Sequence, residues 1–292
     1  MPGLKERRPR LPGINSRADT RIAIRHLRLR VTDTMHFSSA LLLCLGGYAS
    51  AEMVKNGSTC TVTPLSATAK RGELEDRQAR VDDTPQILDA FKQCGTDGTI
   101  NFMEGTFNIR QVMDTSNLHN VDINIYGTFL WSADNLQYWI QNTFPVTYAG
   151  LHTSWLLGGT NISLRGHGKA LFNGNGQVWI DENKNGSNRQ GRPINLTIWK
   201  ANNVFVDGIT WRQSQFWHTF VAHSQNVTMT NLDMNTTSNS QYSSVNTDGF
   251  DSWNSKDVYL RNWTVTCGDV SLLSILCDSA WGFEGEILTG LL

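Results

Sequence analysis

Short runs of alternating apolar and polar residues recur along the middle of the chain, and Asn or Asp opens each of them. The apolar residues stand two apart, a spacing that places them on one side of a β-strand. Five runs share this pattern, with apolar residues at their second and fourth positions: 120–125, 161–166, 203–208, 226–231 and 257–262. We therefore predict a short strand at each run, preceded by a tight turn.

The distance between these runs favours stacked coils. Those that start at Asn203 and Asn226 are one bare coil apart, and the other intervals are longer because loops are inserted. Such a repeat is typical of a solenoid. The alternative is a β-sandwich, whose strands recur about every 8–12 residues and whose hairpins use the Asn-Gly and Asp-Gly pairs that also occur here. We predict an all-β, right-handed parallel β-helix with adjacent coils about 4.8 Å apart.

One amphipathic helix is predicted ahead of these strands. Residues 82–85, Asp-Asp-Thr-Pro, have the composition of a helix start, and Ile87, Leu88 and Phe91 share one side before Gly95 ends the helix. A solenoid end without a cap exposes apolar side chains and strand edges. We therefore expect this helix to cap the first coil.

Composition and charge narrow the possible partners. The chain of 292 residues is rich in Gly, Asn, Thr and Trp, as extracellular all-β proteins are. Its net charge of -1 is unevenly distributed along the chain. Residues 1–34 contain nine Lys or Arg and three acidic residues, and the remainder has a net charge of about -7. An acidic body argues against a nucleic-acid partner. We also expect a monomer without cofactor or metal, since neither His-x-His nor Cys-x-x-Cys occurs.

Residues 35–51 have the features of a secretory signal. An apolar run follows Met35, and the small residues Ala49-Ser50-Ala51 suit a cleavage site. The run is shorter than the roughly 20 residues that a membrane helix needs. We predict a signal peptide at 35–51, a non-native leader at 1–34, and a secreted, extracellular chain without membrane attachment. A transit peptide is the alternative for the Arg-rich leader.

Secretion also bears on the cysteines and on Asn-x-Ser/Thr sequons. Cys60 and Cys94 would meet if the helix between them folds back, and an oxidising compartment favours a disulfide between them. Sequons in a secreted chain accept N-linked glycans. We expect glycans at Asn56, Asn185, Asn195, Asn235 and Asn262.

Two aspartates in short polar motifs are the candidate catalytic residues. Asp248 lies in Asn-Thr-Asp-Gly, and Asp269 ends Cys-Gly-Asp about one coil later. Glycoside hydrolysis needs two carboxyl groups beside the scissile bond. Stacked coils would bring these two to one surface, together with Asn246 as a substrate-binding residue. We expect Asp251, in contrast, to orient a turn.

Trp217 and His218 fall one coil earlier, so we expect them to bind substrate in the same groove. A Trp ring stacks on sugars, and a His can hold the carboxylate of a uronic acid. The alternative is that both are core residues of the solenoid.

The string Asn246-Thr247-Asp248-Gly249, followed by Gly268-Asp269, resembles the polygalacturonases, a family of glycoside hydrolases, over about residues 60–269. The resemblance implies hydrolysis of α-1,4-galacturonosyl bonds of pectin with inversion. In that mechanism Asp269 protonates the leaving oxygen and Asp248 acts on water. The aromatic-rich insertion at 130–155 looks like the segment that blocks one end of the cleft in exo-acting members. A β-helix polysaccharide lyase and a non-catalytic pectin-binding protein remain the alternatives.

The chain departs from this family after Asp269. Val270 stands where a further Asp belongs, and neither the family's His nor its Arg-x-Lys motif follows before Leu292. We therefore expect an incomplete hydrolase domain at 52–269 with later coils missing, a non-homologous tail at 270–292, and an inactive chain. Val270-Ser271 can be encoded by a usual 5′ splice-site sequence, which would explain such a tail by translation of an intron.

Overall fold

A computed structural model gives the fold and describes residues 53–65, 81–186, 188–269, 272–275 and 281–284. The predicted leader and signal peptide lie outside this part of the chain. The helices in it are α1 (Thr84–Cys94), α2 (Leu136–Asn142) and α3 (Gly176–Asn183). The strands are β1 (Val54–Asn56), β2 (Thr59–Val62), β3 (Thr96–Phe102), β4 (Thr106–Ile109), β5 (Met113–Ile125), β6 (Thr128–Trp131), β7 (Phe144–Pro145), β8 (His152–Asn173), β9 (Pro193–Trp199), β10 (Asn202–Arg212), β11 (Thr219–Ala222), β12 (Gln225–Asn235), β13 (Phe250–Trp253), β14 (Lys256–Thr266), β15 (Leu272–Ile275) and β16 (Trp281–Glu284).

The strands stack coil upon coil into three faces, named A, B and C, each of which has a row of buried residues in register. Face A has the row Ile100, Ile123, Leu164, Val206, Met229 and Leu260. Face B has the row Phe107, Phe129, Phe172, Trp211, Met234 and Val265. Face C has the row Met113, Trp155, Leu196, Thr219 and Phe250. All pairing along these rows is parallel, so the predicted parallel β-helix is confirmed and the hairpin-linked sandwich is wrong.

The residue that opens each predicted strand makes the turn into face A. Asn120, Asn161, Asn203, Asn226 and Asp257 all have a left-handed backbone, with φ between 49° and 60°. Asn and Asp tolerate this conformation better than other residues with a side chain. The four asparagines also form a ladder, in which each amide Nδ2 donates to the Oδ1 of the preceding coil at 2.7–3.0 Å. The five predicted strands are therefore confirmed, and they lie in β5, β8, β10, β12 and β14.

Helix α1 closes the first coil, as predicted. It packs on β2, β3 and β5 and buries Ile87, Ala90 and Phe91. A disulfide joins Cys60 of β2 to Cys94 at the end of the helix, with an S–S distance of 2.06 Å. The helix thus covers strand edges and core side chains that would otherwise be open.

Two strands follow Asp269, although the repeat pattern is not evident in that part of the sequence. β15 pairs in parallel with β13 on face C, and β16 pairs in parallel with β14 on face A. Coil stacking therefore continues through Leu272–Ile275 and Trp281–Glu284.

The prediction of a glycan at Asn195 is wrong. Its side chain is fully buried, where Nδ2 donates to Gln215 Oε1 at 2.9 Å and Oδ1 accepts from Trp211 Nε1 at 2.9 Å. A glycan does not fit there, and the Asn serves instead as an internal polar link. Asn56 and Asn185 are exposed, as a glycan requires.

Candidate active site

The predicted catalytic residues lie where face B turns into face C, on two neighbouring coils. Asp248 precedes β13, and Asp269 follows β14 at the equivalent turn of the next coil. Asn246 connects the two coils, because its Nδ2 donates to Asp269 Oδ2 at 3.3 Å. The structure thus brings these three predicted residues together.

The residues between these side chains lock the two turns to each other. Thr247 Oγ1 donates to the Ser244 carbonyl at 2.7 Å and accepts from the Gly268 backbone N–H at 3.0 Å. Gly268 has no room for a side chain, since a Cβ would lie 2.1 Å from the Ser244 carbonyl oxygen. Thr in the first motif and Gly in the second therefore hold Asp248 and Asp269 at a fixed separation.

Asp248 is buried, and its carboxyl group holds a proton unusually well. Burial raises the pKa of Asp248 to about 7, and the negative charge of Asp269 adds to the increase. Its own backbone N–H, the Arg192 guanidinium and the Trp217 indole N–H oppose this effect. Asp269, in contrast, is exposed. The two carboxyl groups therefore occupy different environments, as an acid–base pair requires.

Asp251 is a third carboxyl group at this site, and the turn-orienting role expected from the sequence is wrong. It lies inside β13, in register with Phe220, and is 1% exposed. Neither carboxyl oxygen has a hydrogen-bond partner among the described residues. Burial, with the charges of Asp248 and Asp269, raises the pKa of Asp251 to about 9. Asp251 is therefore protonated and neutral at physiological pH.

His218 does not bind substrate directly, which corrects the sequence prediction. It is fully buried, and both its backbone N–H and its Nδ1 donate to the Asp248 carbonyl, at 2.8 and 2.9 Å. Burial lowers the pKa of His218 to about 4, so the ring is neutral and Nε2 accepts from Thr236 Oγ1 at 2.9 Å. His218 instead fixes the backbone that carries the Asp248 carboxyl group.

Trp217 is also buried rather than open to a sugar. It belongs to a second apolar cluster on the outer side of face C, formed by Val146, Ile194, Phe216, Trp217, Phe220 and Ala222. Its ring stacks on Phe216 with centroids 5.2 Å apart and is only 7% exposed. The alternative considered from the sequence, a packing role, is the one that the structure supports.

Arg192 is a residue of this site that no sequence pattern indicated. Its side chain is 1% exposed, Nε donates to the Gln215 carbonyl, and Nη1 donates to the Val245 carbonyl at 3.0 Å. Burial lowers the pKa of Arg192 to about 10, and the nearby Asp248 opposes this decrease. The guanidinium is therefore charged at neutral pH, and its hydrogen bonds to Gln215 and Val245 connect the turns of three coils close to Asp248.

The described residues contain no group of three or more His, Cys, Asp or Glu arranged to hold a metal ion.

Comparison with known proteins points to one family. The model for glycosyl hydrolases family 28 matches residues 136–276. An α-L-rhamnosidase of Aspergillus niger is 38% identical over 194 residues, which are 66% of this chain and 45% of that protein. Exopolygalacturonase X of Aspergillus niger is 30% identical over 236 residues, which are 78% of this chain and 53% of that protein. The chain spans about half the length of these relatives.

Solved structures share the fold. The crystal structure of endo-xylogalacturonan hydrolase from Aspergillus tubingensis matches with 27% identity and a TM-score of 0.59, over 73% of this chain and 53% of that one. A polygalacturonase of Erwinia carotovora matches with a TM-score of 0.58 over 81% of this chain and 64% of that one. At 16% identity, the second match bears on the fold alone.

Proposed function

Because this chain belongs to glycosyl hydrolases family 28, we propose that it is a glycoside hydrolase that cleaves pectic polysaccharide at Asp248 and Asp269. The observation that carries the proposal is the pairing of these two aspartates through Asn246, with its 3.3 Å contact to Asp269. One carboxyl group is exposed and the other is buried, so the two can hold and accept protons at different pH values.

In the proposed reaction the exposed Asp269 donates its proton to the glycosidic oxygen as the bond from that oxygen to the anomeric carbon breaks. Asp248 accepts a proton from the water that attacks the anomeric carbon from the opposite side, which inverts the centre. Each such proton transfer contributes roughly 10²- to 10⁴-fold in rate. The roles of the two aspartates rest on the family resemblance alone, because the raised pKa of Asp248 would by itself favour Asp248 as the proton donor.

The substrate we propose is polygalacturonate, cut from a chain end. In support, the insertion that contains α2 covers the outer side of face C next to Asp248. Its Tyr148 ring packs 6.3 Å from Phe220 and 5.8 Å from Trp253. A polysaccharide lying over face C would meet this insertion at once, which favours exo-action over cleavage within a long chain.

A second candidate is release of α-L-rhamnose from pectic side chains or backbones. It is favoured by the 38% identity to an α-L-rhamnosidase, which is higher than the 30% identity to the exopolygalacturonase. The two candidates use the same carboxyl pair and differ in the sugar that is bound beside it.

Product analysis separates the candidates. The chain is incubated with polygalacturonate and with rhamnogalacturonan, and the released monosaccharides are separated by anion-exchange chromatography. Because the sequence predicts an inactive chain, with Val270 where the resembled family has a further Asp, the same assay is run on Val270→Asp, for which we expect the higher rate. Free galacturonic acid supports the first candidate and free rhamnose the second. No sugar from either substrate, with either protein, would contradict the proposal.

We also propose that the protein is secreted and carries glycans at exposed sequons such as Asn56 and Asn185. None of the helices in the described part of the chain is long and apolar enough to cross a membrane. Sequencing the amino terminus of protein from culture fluid tests secretion, since cleavage of the proposed signal leaves Glu52 near the first position. A terminus upstream of Met35 would contradict this proposal.

A further inference from the structure

A pocket of about 390 Å³ lies at the opposite end of the face C strands from the carboxyl groups. Lys200, His223 and Asn254 follow the last residues of β9, β11 or β13 on successive coils, and Lys256 opens the next strand of face A. From Asp248 to Asn254 the chain runs six residues, at most roughly 20 Å at 3.3 Å per residue. The pocket is therefore separate from the catalytic pair but within reach of one oligosaccharide.

The floor of the pocket is rigid because three residues share a strained turn. Lys200, His223 and Asn254 have φ values of 49°, 55° and 48°, the left-handed conformation that residues with a side chain seldom adopt. Below them, the Ser224 backbone N–H donates to Ser255 Oγ at 3.1 Å, and both serines are buried. Such a turn, repeated on three coils, presents its side chains in a fixed row.

Two Trp rings flank His223, just outside the residues that line the pocket. The His223 ring stands edge-on between Trp199 and Trp253, with centroids 5.2 and 4.8 Å away. His223 Nδ1 accepts from Asn254 Nδ2 at 2.8 Å, and Nε2 therefore donates to Thr147 Oγ1 at 2.5 Å. Burial and the charge of Lys200 lower the pKa of His223. The imidazole is thus held in place through both ring nitrogens, and both Trp residues remain partly buried.

The charge of the pocket comes from its two lysines. Lys200 and Lys256 are exposed, and neither forms an ion pair with a carboxylate among the described residues. Lys200 Nζ lies 5.0 Å from the centroid of the Trp199 ring, which holds the ammonium beside that ring. No Asp or Glu lines the pocket. It therefore presents unpaired positive charge next to apolar rings.

We propose that this pocket binds a uronic acid residue of a pectic chain, with the carboxylate between Lys200 and Lys256 and the sugar ring extending over the pocket rim towards Trp199 or Trp253. Aromatic rings stack on the apolar face of a sugar, and an ammonium group attracts a carboxylate. The proposal rests on the proposed function and extends it, since it places recognition of an acidic sugar away from the carboxyl pair. A neutral sugar such as rhamnose would gain nothing from the lysines.

Binding of trigalacturonate to the full chain tests the pocket apart from catalysis. Titration calorimetry is carried out on Asp269→Asn, so that no substrate is hydrolysed during the measurement. We expect the added pair Lys200→Gln and Lys256→Gln to weaken binding about tenfold, which equals about 1.4 kcal/mol. Arg at both positions should restore most of the affinity, because it keeps the charge.

The matched control is the pair Lys92→Gln and Lys169→Gln, which removes two exposed lysines elsewhere, on α1 and in β8. This pair should leave binding unchanged, and 0.5 M salt should weaken binding of the parent through screening. The inference is overturned if the pocket variant binds trigalacturonate as tightly as the Asp269→Asn protein does. It is also overturned if the Asp269→Asn protein does not bind trigalacturonate, or binds maltotriose equally well. Failure of the proposed function appears differently, as intact binding by a chain that releases no sugar.

Discussion

Replacing Asp251 by Asn should stabilise the protein at neutral pH, although it removes a carboxyl group from the candidate active site. The Asp251 carboxyl group is buried, neither oxygen has a described partner, and its pKa is raised from 3.8 to about 9. In the unfolded chain the same group ionises freely above pH 4. Folding must therefore keep a proton on Asp251, which becomes more costly as the pH rises.

The sign and size of this effect follow from linkage. Between pH 4 and pH 9 the folded protein binds more protons than the unfolded chain, so its free energy of unfolding falls as the pH rises. At pH 7 the interval above the unfolded pKa is about 3 units, and at about 1.36 kcal/mol per unit the cost is on the order of 4 kcal/mol. Below pH 4 both states are protonated and the cost disappears. Asn has a similar shape and cannot ionise, so Asp251→Asn should recover this amount.

Urea unfolding at pH 7 and at pH 3.5 is the assay. The account predicts a higher midpoint for Asp251→Asn at pH 7 and little difference from the parent at pH 3.5. Asp257→Asn is the matched control, because Asn already occupies the equivalent turn position on other coils and should bring no gain specific to pH 7. If Asp251→Asn is no more stable than the parent at pH 7, or gains equally at both pH values, the reasoning is wrong.

Other predictions concern the residues that hold the carboxyl pair. Arg192→Met removes the donor to one buried and one partly buried carbonyl, so we expect it to lower the free energy of unfolding by about 2–5 kcal/mol in urea titrations, with Arg192→Lys intermediate; equal midpoints for all three proteins would refute this. In the Val270→Asp protein, Gly268→Ala forces a Cβ against the Ser244 carbonyl and should reduce the rate about tenfold or more in a reducing-sugar assay, whereas an unchanged rate would show that the two turns need not be locked. If Asp248 accepts the proton from water, kcat/KM of the Val270→Asp protein should fall as the pH drops through about 7, where the Asp248 carboxyl group becomes protonated. A decline only above pH 7 would assign Asp248 as the acid instead.

The coil architecture was readable from the sequence because each strand depends on a local signal. Asn203 and Asn226 open their strands with the same left-handed turn, and alternation in the next few residues suffices to place one side of the strand inside. The Asp248 and Asp269 motifs were found in the same way, since each is a short string on one turn. Their proximity then follows from coil stacking.

The environment of the site could not be read in this way, because it depends on residues that are distant in the sequence. Trp217 looked available to a sugar until Tyr148, 69 positions earlier in the sequence, packed near it at 6.4 Å. His218 looked like a ligand, but its ring is fully used by Asp248 and Thr236. Asp251 could have been recognised from strand alternation, since Phe250 faces the core and its neighbour must then face the outer side of face C.

The central claim is that Asp248 and Asp269 form the catalytic pair of a pectic glycoside hydrolase. The most direct measurement is the rate of reducing-sugar release from polygalacturonate by Val270→Asp, compared with the same protein carrying Asp269→Asn. Because general acid catalysis contributes roughly 10²- to 10⁴-fold, the account predicts a loss of at least about two orders of magnitude in the second protein. Because Asp269 is exposed, we expect the Asp269→Asn substitution to leave the fold unchanged. Retention of a near-full rate by the Asp269→Asn protein would contradict the account.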